Sequence, residues 1–163
     1  MKFLLAASLA LSLVAPLAHA HGSGHHARKA FDPATAEQTP FGIAGDPAKV
    51  TRTIKISMGD DMRFAPDKIK IRRGETVRFI VTNKGQMLHE MVIGTPEELQ
   101  EHAALMKKFP EMEHDEPHMA HVKAGTSEEL VWNFNKPGQF QFACLVPGHF
   151  EAGMSGTISV IER

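Results

Sequence analysis

The run Gln139-Phe140-Gln141-Phe142-Ala143-Cys144 alternates polar and apolar residues and ends in the chain's single cysteine. Alternation with period two places every second side chain on one face, the mark of a β-strand with one buried side. Such a strand cannot stand alone. Its backbone groups need neighbouring strands, and its Phe side chains need a second layer to cover them. The chain supplies both. Thr51-Arg52-Thr53-Ile54-Lys55-Ile56-Ser57 and Ile69-Lys70-Ile71 alternate in the same way, and TVRFIVTN at 76–83 is rich in β-branched and apolar residues. Shorter runs follow at 89–93, 128–134 and 156–161. Ala65-Pro66, Arg73-Gly74-Glu75, Asn83-Lys84-Gly85 and Asn135-Lys136-Pro137-Gly138 punctuate them. Short strands at this spacing predict an all-β, antiparallel sandwich. Its expected core is Ile54, Ile56, Phe79, Val81, Val131, Trp132, Phe140, Phe142, Ile158 and Val160.

One segment breaks the pattern. Thr95-Pro96-Glu97-Glu98 reads as a capping box with Pro at the first helical position. Leu99, Ala103 and Met106 then share a face at helical spacing, predicting a helix of about three turns that ends near Phe109-Pro110. A polar loop rich in Met and His is expected over 111–124. This helix–loop insertion stands out from the β pattern.

The N-terminus reads as an export signal over 1–20. Lys2 precedes an apolar run that ends in Ala18-His19-Ala20, a small-x-small cleavage site. The run is short for a bilayer span, so no membrane span is expected after cleavage, and the location expected is the periplasm. Residues 21–49 lack apolar periodicity and are rich in Gly, Ala, Pro and His, predicting a flexible tail, with one domain over 50–163. The formal net charge is −1, and losing Lys2 takes it to −2, which gives no case for nucleic-acid binding. A monomer is expected.

A lone thiol in an oxidising compartment cannot form an internal disulfide, so it is buried, reactive or metal-bound. Cys144-Leu145-Val146-Pro147-Gly148-His149-Phe150-Glu151-Ala152-Gly153-Met154 leaves four residues between Cys and His and four between His and Met, and His89 lies upstream. A thiolate, two imidazoles and a thioether form the donor set of a mononuclear copper site: the sulfurs suit Cu(I), and imidazole suits both oxidation states. Each residue alone has a blander reading as core or surface. Together, with Gly148, Gly153 and Gly156 allowing a tight loop, they point to metal.

Phe142-Ala143-Cys144, Pro147-Gly148-His149 and Gly153-Met154-Ser155-Gly156-Thr157-Ile158 resemble the ligand loop of the cupredoxins, the copper proteins with a Greek-key sandwich. The Cys–His and His–Met spacings resemble those of rusticyanin and auracyanin. The run 73–83 followed by His89 is also similar to that family. The resemblance implies a type 1 copper site. Cys144 would give the short Cu–S bond, His89 and His149 would complete the plane, and Met154 would be the weak axial ligand. It also implies that His149 lies nearest solvent, within an apolar rim of Leu145, Val146, Pro147 and Phe150 that fits a redox partner. The residue after the upstream His is often Asn or Ser in the family and is Glu90 here. Its carboxyl either stands beside the ligands or points to solvent.

Met112, His114, His118, Met119 and His121 crowd the expected loop, and His21, His25 and His26 stand in the tail. Imidazole and thioether together favour copper, so these are candidates for additional copper; the plainer alternative is a solvated loop and tail. The layout resembles periplasmic cupredoxins linked to copper tolerance. The expected function is copper homeostasis with one-electron redox capability, in contact with a redox or copper-handling partner. The alternative is a soluble electron carrier between respiratory partners. A copper enzyme would need more: multicopper oxidases and nitrite reductases carry a His beside the Cys, and a binuclear site carries two Cys. Ala143 and Leu145 flank the only Cys here, so the reading is non-enzymatic.

Overall fold

The structure is a computed structural model that describes residues 31–110, 112 and 115–162. The expected signal at 1–20, His21, His25, His26 and His114 lie outside the described residues. Among the described residues, eleven strands form two sheets. The first holds β1 (Gln38–Thr39), β2 (Gly42–Ala44), β3 (Arg52–Gly59), β4 (Arg63–Ala65), β6 (Thr76–Asn83) and β9 (Ser127–Asn133), ordered β1-β2-β9-β6-β3-β4. The second holds β5 (Lys68–Arg72), β7 (His89–Gly94), β8 (Met119–Val122), β10 (Gly138–Ala143) and β11 (Ser155–Ile161), ordered β5-β11-β10-β7-β8. The all-β sandwich stands as expected.

Pairing departs from a purely antiparallel arrangement. β3 runs parallel to β6, and β5 parallel to β11. Between β3 and β6 the chain visits the other sheet through β5, so β6 returns beside β3 in the same direction. The connection therefore crosses from one sheet to the other and back. The alternating residues fill the space between the sheets, with Phe79, Val81, Trp132 and Phe142 at its centre. Val131, expected in the core, is only half-buried: the inward face of β9 carries Leu130 and Trp132 instead.

The tail expectation needs correction at its C-terminal end. β1 and β2 pair with each other, and β2 pairs with β9. Phe41 is buried, stacks on Trp132 and accepts the indole N–H at its carbonyl (3.1 Å). One large aromatic suffices to anchor this segment, which is why hydrophobic periodicity gave no sign of it.

α1 (Pro96–Lys108) forms where expected, with the capping box complete at Thr95 and Glu98. Leu99, Ala103 and Met106 face the outer side of the second sheet and join Val92, Met119, Ala143 and Leu145, with Phe150 packed against them, in a second small core. The loop expected over 111–124 is corrected at its end. Met119–Val122 is a strand paired with β7, and Met119 is fully buried beneath α1. Among the described residues no helix is long and apolar enough to cross a membrane.

Candidate metal centre

Two strand ends and one loop build the site. His89 begins β7 and points inward with Met91 and Ile93; Cys144 follows β10 on the inward face shared by Phe140 and Phe142. The next residues fold back tightly. His149 N–H donates to Val146 O (3.0 Å), Met154 N–H to His149 O (3.0 Å) and Cys144 N–H to Met154 O (3.1 Å). Gly148 and Gly153 take φ values of +90° and +87°, a left-handed backbone that a side chain would strain. The loop thus holds Cys144, His149 and Met154 at one end of the sandwich, and all three are buried.

Among the described residues, one group of three His, Cys, Asp or Glu donors closes to within 4.8 Å: His89, Cys144 and His149. The two Nδ1 atoms are 3.1 Å apart, and Cys144 Sγ lies 3.3 Å from His149 Nδ1 and 3.9 Å from His89 Nδ1. Burial pushes the thiol up to about 12, and the neighbouring Glu90 charge adds to this. Burial, then the His89 ring, pushes His149 below the usual imidazole range. Burial thus favours the uncharged thiol of Cys144 and the uncharged ring of His149. A soft cation answers this arrangement, because it favours the thiolate and takes the nitrogen lone pairs at once.

The surroundings hold these donors in place. Glu90 is buried: its N–H donates to Cys144 Sγ (3.4 Å), and its Oε1 accepts the N–H of Leu145 (2.9 Å). One residue therefore grips the cysteine from both sides, and the alternative of a solvent-facing carboxyl is set aside. The other carboxylate oxygen lies 3.0 Å from His121 Nδ1. Two further residues, Asn83 and Asp60, were not among the expected site residues. Asn83 Nδ2 donates to Met87 O (2.7 Å) and Val122 O (2.9 Å), while its Oδ1 accepts from Gly85 N–H (2.8 Å), ordering the turn that delivers His89. Asp60 Oδ1 accepts from His89 Nε2 (3.0 Å). An inward-facing Asn at a strand end was the available clue for the first; nothing in the local sequence marked the second.

The rim differs in part from expectation. His149 retains 9% exposure, against none for His89 and Cys144. Pro147 is exposed and Val146 half-buried, but Leu145 turns into the small core under α1, and Phe150 packs against that core. Met87 and Leu88, just before His89, are exposed at 42% and 48% and supply apolar surface the sequence reading did not include. Among the described residues, the other candidates do not converge into one cluster. Met119 is core, His118 sets its ring edge against Phe41 and Trp132, His121 meets Glu90, and Met112 is exposed.

A two-sheet sandwich with a buried His–Cys–His cluster at one end defines a cupredoxin. The profile of copper-binding proteins of the plastocyanin/azurin family matches residues 50–161, and the chain belongs to that family. It is 48% identical to the copper-resistant cuproprotein CopI of Rubrivivax gelatinosus, over 95% of this chain and 92% of that protein. The same-named protein of Vibrio cholerae is 30% identical, over 98% of each. Among solved structures, auracyanin B superposes with a TM-score of 0.61 at 20% identity, covering 77% of this chain and 99% of that one. The auracyanin of Roseiflexus castenholzii gives 0.59 at 20% identity, covering 69% and 98%. These two likenesses concern the fold. Copper is thus the cofactor that family and donor set share.

Proposed function

We propose that this chain is a periplasmic copper-tolerance protein that holds a type 1 copper through His89, Cys144, His149 and Met154. The convergence of two Nδ1 atoms and one buried thiol within 4.8 Å carries the reading. Copper bound there supplies a one-electron couple. The chain's residues do the rest. The sandwich fixes His89 and Cys144 before metal arrives, so little has to move between oxidation states, and Glu90 restrains the cysteine backbone. Met154, buried in the same loop, would hold the copper together with them as a weak thioether donor. His149, the ligand with an exposed edge, is the point of entry for electrons.

Copper tolerance is supported by the relatives named copper-resistant, which match nearly the full chain. The apolar surface of Met87 and Leu88 beside His89 favours a second reading, a soluble electron carrier docking at this end. A strain lacking the protein decides between them. Restoration of copper tolerance by the wild type and not by Cys144→Ser supports the first. Unchanged tolerance in the deletion strain, with respiratory electron flow impaired, would replace it with the second.

A further inference from the structure

We infer that Asp60 is the positioning residue of His89, holding the ring in the tautomer that presents Nδ1 to Cys144 and His149. The inference rests on the reading of His89 as a copper ligand. A neutral imidazole has one N–H, and the nitrogen that carries it cannot bind metal. His89 Nε2 lies 3.0 Å from the Asp60 carboxylate, which only accepts, so the proton sits on Nε2 and the Nδ1 lone pair faces inward. The ring is fully buried and Asp60 about one-third exposed, so the carboxylate reaches in from the rim.

The carboxylate is itself held. Oδ2 accepts from Gln86 N–H (2.7 Å) and Oδ1 from Met87 N–H (3.3 Å). A β-carbon at Gly85 would collide with it, so the glycine leaves the space it fills. An ordinary turn aspartate bonds its own turn. Asp61 does so, accepting from Arg63 N–H two residues on. The partners of Asp60 lie 26, 27 and 29 residues away, on the segment that leads into β7. Asp60 leaves the β3–β4 turn of one sheet to fix a ligand on the other. A carboxylate behind a ligating imidazole orients the ring and raises its basicity, which favours the more highly charged metal ion.

Asp60→Ala and Asp60→Asn in the full chain test this. Three quantities are read: copper affinity by chelator competition, reduction potential, and the His89 ring N–H by NMR of the Cu(I) form. Asp60→Ala should weaken copper binding about 10- to 100-fold and expose the Nε2 proton to rapid solvent exchange. In Asp60→Asn the amide oxygen can still accept that proton. It should restore the slow-exchanging signal and most of the affinity, with a higher potential because the acceptor is neutral. Lower stability of Asp60→Ala with affinity, potential and His89 signal unchanged would make Asp60 a loop anchor only and overturn the inference. If Asp60→Ala does not fold, an Asp60→Asn potential equal to wild type overturns it. Failure of the underlying reading looks different: wild type would then lack a thiolate-to-copper band that Cys144→Ser abolishes.

Discussion

Cys144, His149 and Met154 could be taken together as candidates from the sequence because one loop of eleven residues carries all three. Glu90 was half-legible. Its position beside His89 was plain, but its partner Leu145 N–H is 55 residues away, and only tertiary structure joins them. Asn83 and Asp60 act across similar separations and were missed for that reason. Glu90→Ala leaves a buried Leu145 N–H without its acceptor and should cost about 1–3 kcal/mol in denaturant unfolding of the metal-free protein. Met154→Leu should leave copper bound and raise the potential, since it removes a weak donor that helps hold Cu(II); an unchanged potential would show that Met154 is not axial. The thiol and imidazole also set a pH dependence in the metal-free protein. Cys144 is raised in the fold from its ordinary value near 9 to about 12, so the folded state keeps a proton the unfolded chain loses. The stability this gives is complete below pH 9 and declines from there toward 12. His149 is lowered, so below its ordinary value of 6.5 the unfolded chain takes up a proton first and stability falls with falling pH. Chemical unfolding across pH should therefore show a plateau between these limits.

The strand and helix periods located most elements, and α1 most securely, because its capping box and apolar face are encoded within thirteen residues. β8 was lost in an apparent loop. Four residues among Met, His and acidic neighbours give too short an alternation to read, and the strand forms because β7 and α1 cover it. β2 was hidden in the same way, fixed by Phe41 and the Trp132 indole. The parallel pairs were beyond reach, since no local signal says which sheet a strand joins. At this scale α1 is a cover for the ligand loop: Leu99 shares a core with Leu145, and Lys107 pairs with Glu151. Leu99→Ala should destabilise the protein by about 2–5 kcal/mol, read from denaturant midpoints, with copper still bound.

The sandwich carries its own core, so the metal-free molecule should unfold cooperatively, unlike a small domain that depends on metal to fold. Copper binds the native state and should raise the melting temperature; free copper at 100 times Kd adds about 2.7 kcal/mol. Additional copper remains the property that separates a copper-handling protein from a carrier. Of its candidates, His118, Met119 and His121 already serve packing and the Glu90 contact. The most direct test of the copper site is the visible spectrum of the copper-titrated wild type beside Cys144→Ser. The account predicts an intense thiolate-to-copper band that saturates at one equivalent in the wild type and is absent in the variant. A band that survives loss of the only sulfhydryl would contradict it.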